Sequence, residues 1–412
     1  MDETRDLARR LTRVLDVAQT VVRVLLSTQA APGEEPQPEK VLSETALLLL
    51  FASRVDASHR QVHRRIRALA KQLVPHARSD RVLAGITLTP VLAREYAAAH
   101  VCLSRLGYPD AKFDEVLARS LSSGAARRRE RVPYRQLELE WLGDIWNPSQ
   151  GGRKRRPSAA LAAVTTAGLG LDPLNPTRDD VYAFTHSLLY LTDFGKPRRL
   201  PRPKTELVAD SEPALAWCLD ADDFDVSAEI LLAWPLLQAR WSPAGAFGFR
   251  VLTRVEDEVG YLPSLSLSEE RYRELEGAER KRYVVAEAYH TVYVMGLLCA
   301  ATLQAGALPP EPLSARGAAG AADELVGLLV PREPAPQWER DFAELEPRQR
   351  QALAPFLANV ALQRAVEASA FERIREVLAL CVERGLKPSN AMTQAADLLV
   401  RVAQSPYATA QR

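Results

Sequence analysis

TRDDVYAFTHSLLYLTDFG, residues 177–195, reads as a helix that must be buried on nearly every side. Thr177 offers a capping hydroxyl, and Asp179 and Asp180 place negative charge in the first turn, where the helix dipole favours it. Gly195, followed by Pro197, ends the helix. Between these signals almost every residue is apolar. The exceptions, Asp179, Tyr182, His186, Tyr190 and Asp193, recur at three- and four-residue steps and so share one face. Unpaired polar groups are costly to bury, so this stripe must find partners. It predicts the lining of an enclosed cavity.

A second stretch, VVAEAYHTVYVMGLLCAA at 284–301, has the same design. Tyr283, Glu287 and His290 lie on one face of it, with Tyr293 beside them. Two of the six histidines thus sit in the middle of the two most apolar helices. They are either core histidines satisfied by neighbours or members of one shared site.

A chain of 412 residues, 47% apolar and 25% charged, has the composition of an ordinary globular protein. A formal net charge of +1 predicts no strong general attraction to nucleic acid or anionic membrane. Cys102, Cys218, Cys299 and Cys381 are far apart and form no CxxC pair, which argues for a reducing compartment. The N-terminus, MDETRDLARR, is charged and helix-like rather than a signal peptide. No apolar run reaches the roughly 20 residues that span a bilayer, and the best candidate, 284–301, contains Glu287 and His290. The expected location is cytoplasmic, with no membrane partner.

Taken in order, residues 3–28 form an amphipathic helix with Leu7, Leu11, Val14, Leu15, Ala18, Val21, Val22 and Leu25 on one face. A polar, proline-rich loop follows, then helices at about 42–54, 57–74 and 91–106. This alternation continues without period-2 runs of β-branched residues and predicts an all-α chain of helical hairpins. The glycine-containing stretch 243–266 is the only candidate for short extended segments, such as 248–253. Residues 307–337, rich in Ala, Gly and Pro, suggest a linker or surface excursion with one short helix. Residues 347–380 and 388–404 read as two amphipathic helices packing on those before them. No boundary is sharp enough to divide 1–412 into separate domains.

Three segments are very basic: 125–135, 151–156 and 196–204. They are either solvated loops or a cluster that holds a phosphate-bearing ligand. Residues 212–240 carry the densest acidic chemistry: Asp220, Asp222, Asp223 and Asp225, followed by Glu229 alone in an apolar helix. Capping explains one or two of these acids. Carboxylates crowded together repel, so at least one should bind its proton more tightly and serve as an acid near neutral pH.

No Walker loop, Rossmann glycine fingerprint, GxSxG, HExxH or paired-cysteine zinc motif is present. Two short matches carry a resemblance. Tyr289-His290-Thr291-Val292-Tyr293 with Gly296-Leu297 resembles the YHTxY…GL inner-helix segment of protein prenyltransferase β subunits. That resemblance implies a zinc site on His290 with Cys218 and Asp220, although here the cysteine precedes the aspartate, the reverse of the family order. Asp220-Ala221-Asp222-Asp223 resembles the DxDD motif of class II terpenoid cyclases, which implies that Asp222 is the proton donor. Both families share the α/α toroid, a barrel of helical hairpins around a central cavity. The matches cover fewer than 20 positions.

The expected protein is therefore a single all-α domain, an α/α toroid whose cavity is lined by the stripes on 179–193, 222–233 and 283–294. Its expected function is an enzyme of small-molecule metabolism holding a largely apolar substrate that carries a phosphate if the basic loops converge. Asp222, Asp223 and Glu229 would supply acid chemistry, His186 and His290 would act as base or ligands, and Tyr190 and Tyr293 would position the substrate. The rival is a non-catalytic helical-repeat scaffold that binds a protein or peptide. Nucleic acid is disfavoured by the near-zero net charge. The enzyme reading predicts that Asp222, His186 and His290 approach one another around a closed pocket; a scaffold predicts that they are dispersed, with a long concave groove outside.

Overall fold

The computed structural model describes residues 3–26, 37–146, 158–196, 200–310 and 320–404, and no strand occurs among them. The chain opens with α1 (Glu3–Leu25), α2 (Pro38–Ala52) and α3 (Arg60–Ala77), close to the expected positions. A short helix, α4 (Asp80–Leu88), precedes α5 (Ala93–Arg105), α6 (Ala111–Ser122) and α7 (Pro133–Trp146). Two brief turns of helix, α8 (Ala159–Ala163) and α9 (Thr166–Leu169), lead into α10 (Arg178–Leu191). Then come α11 (Lys204–Asp220), α12 (Phe224–Leu231), α13 (Ala233–Leu237), α14 (Pro243–Val259), α15 (Glu269–Glu274) and the long α16 (Gly277–Ala305). The remaining helices are α17 (Ala321–Gly327), α18 (Gln337–Ala343), α19 (Pro347–Ala352), α20 (Ala354–Glu367), α21 (Phe371–Glu383) and α22 (Asn390–Gln404).

Helix α16 is the centre of the packing. Its apolar length lies along α1 and also meets α2, α12 and α13, which explains why residues 288–302 are almost all buried. The close approach to α1 depends on Gly296, where an added Cβ would stand 2.6 Å from Val14 Cγ1 and 3.2 Å from Leu48 Cδ1. Gly296→Ala is expected to destabilise the protein by about 1–3 kcal/mol through overpacking. Urea denaturation checks this, and an unchanged midpoint would mean that α1 and α16 can separate freely.

Two expectations need correction. Residues 243–266 hold no extended segment: Ser242 caps α14 by accepting from Gly245 N at 3.2 Å, Pro243 occupies its first turn, and Gly260 (φ +94°) ends it. Gly245 marks a close approach, since a Cβ there would lie 2.8 Å from the Trp234 ring. Residues 347–380 divide into α19, α20 and α21; Pro355 starts α20, and Ser369 adopts φ +54° just beyond its end. Within 307–337, Ala321, Ala322 and Leu325 of α17 are buried and the helix packs on α20, while 311–319 lies outside the described residues.

The C-terminal helices attach chiefly through α20 on α11. Their anchor is buried: Arg364 donates to both Asp220 oxygens, at 2.6 Å to Oδ1 and 3.0 Å to Oδ2, and Trp338 Nε1 donates to Oδ1 at 3.0 Å. A second tie joins α18 to α14, where Arg254 Nη1 lies 2.8 Å from the fully buried Asp341. Burial outweighs Arg254 there and pushes the Asp341 carboxyl up to about 6. The unfolded value is near 3.8. The folded chain therefore binds the extra proton, and the stability this gives is complete below the unfolded value and lost as pH rises through 6. Asp341→Asn should accordingly leave stability unchanged near pH 4 and raise it by about 1–2 kcal/mol near pH 8. A loss at pH 8 would show that the Arg254 pair dominates instead.

Candidate functional site

The cap predicted for the decisive helix forms: Asp180 N donates to Thr177 Oγ1 at 3.1 Å. Two turns on, His186 Nδ1 lies 3.0 Å from the Tyr182 carbonyl. A carbonyl only accepts, so this nitrogen carries a proton. The same nitrogen is 3.5 Å from Glu229 Oε2, and the Thr185 hydroxyl donates to that oxygen at 2.6 Å. The Tyr182 ring covers the imidazole, centroids 3.8 Å apart, and Tyr134 of α7 meets both rings edge-on at 5.9 and 5.7 Å.

From the other side comes α16. His290 Nε2 stands 3.6 Å from Glu229 Oε1 and 3.8 Å from Asp225 Oδ1, while its Nδ1 is 3.2 Å from Glu44 Oε2 on α2. Two histidines on different apolar helices thus approach opposite oxygens of one carboxylate. At the N-terminal edge of the cluster, Arg178 Nε donates to Asp223 Oδ2 at 2.8 Å and Nη2 to Asp225 Oδ2 at 3.0 Å.

The charges respond to one another. Burial works against the His290 cation, but Glu44, Asp225 and Glu229 prevail and hold its pKa well above the ordinary value. Burial would raise Glu229, yet His186 and His290 hold it well below the usual carboxylate range. Glu44 is lowered in the same way, with His290 and the Tyr289 hydroxyl overcoming its burial. Asp225 goes the other way: burial and the neighbouring Glu229 and Asp223 raise it despite His290 and Arg178. One cluster therefore holds carboxyl groups pushed in opposite directions, a pattern found where acid and base roles are divided.

Glu44 and His290 keep 21% and 24% of their side-chain surface accessible. Beyond this level α10 turns aromatic. Tyr190 is buried against Trp141, whose Nε1 donates to Asp193 Oδ1 at 2.9 Å, and Arg54 binds the same oxygen at 3.2 Å and the Asp193 carbonyl at 2.6 Å. Phe194 packs between Phe51 and Trp141, with centroids at 5.2 and 5.1 Å. Asp193 and Phe194 both adopt left-handed backbone, φ +44° and +53°, a strain that this clasp across α2, α7 and α10 offsets.

The acidic run divides between two sides. Asp220 is taken by Arg364 and Trp338, and Asp222, at φ +50°, accepts from Gln337 N at 2.9 Å. Both hold the C-terminal segment, so Asp222 does not join His186 and His290. Burial raises the Asp222 carboxyl, but its partner is backbone. Asp223 caps α12, accepting from Val226 N at 3.2 Å, and only Asp225 and Glu229 turn toward the histidines. Tyr293 bonds the Thr45 hydroxyl at 2.9 Å, and burial raises both its phenol and that of Tyr190.

The zinc expectation finds no ligand set. The Asp220 oxygens are occupied, burial pushes the Cys218 thiol well above its ordinary value, and among the described residues no three His, Cys, Asp or Glu side chains are placed to hold a metal. The basic segments are described only in part. Residues 151–156 and 197–199 lie outside the described residues; Arg131 binds Glu95 at 2.9 Å, and Arg202 binds Asp210 and the Ala167 carbonyl.

Sequence reading passes over Glu44, Thr185 and Arg178. Glu44 carries a usable signal: from 41 to 52, VLSETALLLLFA, it is the only charge in an apolar helix, the pattern that singles out Glu229. Arg178 sits among acids in a first turn and has nothing to distinguish it.

Residues 11–300 match the family described as Domain of unknown function (DUF6895). No curated protein and no solved structure matches the chain.

Proposed function

The chain belongs to the DUF6895 family, whose description assigns no activity, and we propose that it is an acid–base enzyme of small-molecule metabolism built on an α/α toroid. One observation carries the proposal: His186 and His290 converge from separate helices on opposite oxygens of Glu229, with Asp225 and Glu44 beside them. A scaffold has no need of this arrangement, because a buried ionic cluster is weak support for stability.

The toroid reading draws support from the order of helix contacts. Helix α2 packs on α5, α5 on α7, α7 on α10, α10 on α12, α12 on α16, and α16 again on α2. The chain enters this ring after α1 and passes between its members through one to three further helices: α3 and α4, α6, α8 and α9, α11, and α13 to α15. A closed ring of packed helices joined through others is compatible with a toroid of hairpins and with the resemblance to terpenoid cyclases and prenyltransferases. The Glu44, Asp225, Glu229, His186 and His290 side chains would then face the central cavity, with Trp141, Tyr190 and Phe194 as its aromatic floor.

In this reading His290 gives up the proton on Nε2 to the substrate, and Glu229 or Asp225 takes a proton from another substrate atom. Glu44 fixes the imidazole through Nδ1 and favours its return to the charged form. His186 and Thr185 hold Glu229 ionised, and the tyrosine faces shield the proton path from bulk water. Paired protonation and deprotonation is the chemistry of isomerisation and cyclisation. No step is assigned to Asp222 or to a metal.

Deuterium labelling tests this even while the product is unidentified. The protein is incubated with small-molecule extracts in D2O, and metabolites are surveyed by mass spectrometry for carbon-bound deuterium. Wild type and Asp222→Asn should label the same compound, while His290→Gln and Glu229→Gln should lose on the order of a hundredfold or more of that rate. Equal labelling by all four proteins would overturn the proposal.

A further inference from the structure

His100 of α5 is fully buried, and each of its ring nitrogens has a partner. Arg78, just beyond α3, directs Nε–H to Nδ1 at 3.1 Å. A guanidinium only donates and keeps its charge, so Nδ1 must be the bare, accepting nitrogen. The one ring proton is therefore on Nε2, which donates to Asp114 Oδ1 of α6 at 3.0 Å. Trp146, at the end of α7, donates to the same oxygen at 2.6 Å, and the Phe113 ring stacks on the imidazole with centroids 4.1 Å apart. Arg78 also donates to the Tyr108 carbonyl, and its Nη1 stands 3.6 Å from Asp110 Oδ2. Asp110 in turn caps α6, accepting from Lys112 N and Phe113 N at 3.1 Å each. One guanidinium thus holds the turn between α5 and α6, and its seat depends on a lone pair of the imidazole.

A second proton on His100 would reverse that contact. Nδ1–H would then face Arg78 Nε–H across 3.1 Å, donor against donor and cation against cation. The charged imidazole would keep Asp114, now as an ion pair, so the group that must leave is Arg78. We propose that His100 is an acid-sensitive latch: protonation of Nδ1 expels Arg78 and loosens residues 106–110 and the first turn of α6. This device is separate from the Glu229 cluster and does not rest on the function proposed for it. The charged groups facing His100 are Arg78 from the end of α3 and Asp110 and Asp114 from α6. Charges on the other helices packed against α5 are engaged elsewhere: Arg81 of α4 with Glu39 of α2, Glu44 of α2 with His290, and Arg135 of α7 with Glu138. Burial holds the His100 pKa below its ordinary value; Asp114 opposes this and Arg78 adds to it. The folded chain therefore resists a proton that the unfolded chain takes near 6.5. The stability His100 contributes is complete above that value and lost as pH falls through the lower folded one. The latch is closed at neutral pH and opens in acid.

Wild-type protein labelled with 15N-histidine is titrated by NMR from about pH 8 to about pH 4.5, and amide exchange is followed by mass spectrometry over the same range. At about pH 7 His100 should show the Nε2–H tautomer, and it should take its second proton below the ordinary value of about 6.5. Exchange of residues 106–113, corrected for its intrinsic pH dependence, should rise on the order of tenfold with the same midpoint, while that of α20 should not. Arg78→Ala removes both the donor and the like charge, so His100 should titrate about one pH unit higher in that variant. If Arg78→Ala does not fold, the coincidence of the two midpoints in wild type decides alone. An Nδ1–H tautomer at about pH 7, a His100 midpoint at or above about 6.5, or an unchanged midpoint in Arg78→Ala would overturn the inference. So would protonation of His100 without faster exchange of 106–113 at the same pH.

Discussion

His290→Gln is expected to lose about 2–4 kcal/mol of folding stability near pH 6, and much less near pH 10. Glutamine keeps the size and a donor but removes the charge that Glu44, Asp225 and Glu229 surround. The sign of the pH dependence follows from the raised pKa of His290 in the folded chain. Its contribution is complete below the unfolded value near 6.5 and fades as pH rises through the higher folded value. Wild type and variant should therefore approach one another in alkaline solution. Urea denaturation at both pH values checks this. An equal deficit at the two would mean that His290 acts by packing rather than as a counter-charge.

Arg364→Ala is expected to cost about 3–5 kcal/mol, because it removes the cation that binds both oxygens of the buried Asp220 carboxylate. Trp338 alone would remain on Oδ1, with Arg332 Nη1 at 3.4 Å from Oδ2. The loss should be uneven: amides of α18 to α22 should exchange faster than those of α2, α10 and α16, which do not depend on this anchor. Hydrogen exchange by mass spectrometry separates the two groups. A cost under about 1 kcal/mol, or a uniform acceleration, would contradict the anchor.

The helices are legible in the sequence where one signal dominates. Thr177 and the acids after it fix the start of α10, and continuous apolar character identifies α16 as core. Where glycine has two meanings the reading fails: Gly245 and its neighbours suggest extended chain, whereas Gly245 is small because Trp234 lies against it. The candidate site is half legible. His186, His290 and Glu229 stand out because polar groups on apolar helices must find partners, and they find one another. The run from Asp220 to Asp225 misleads because spacing cannot say which way each side chain turns. Its first two carboxylates face the C-terminal helices, and only Asp225 and the Asp223–Arg178 pair face the site. Glu44 lies 246 residues from His290 in the chain, and only tertiary packing unites them.

The central claim is that His290 is a buried imidazolium set between Glu44 and the Asp225–Glu229 pair. A pH titration of 15N-histidine-labelled protein by NMR tests it most directly. Of the six histidines, the one whose signals vanish in His290→Gln should remain protonated on both nitrogens near pH 8, well above the ordinary histidine pKa of about 6.5. If that histidine instead loses its proton near 6.5, the cluster is not coupled as described and the acid–base account fails.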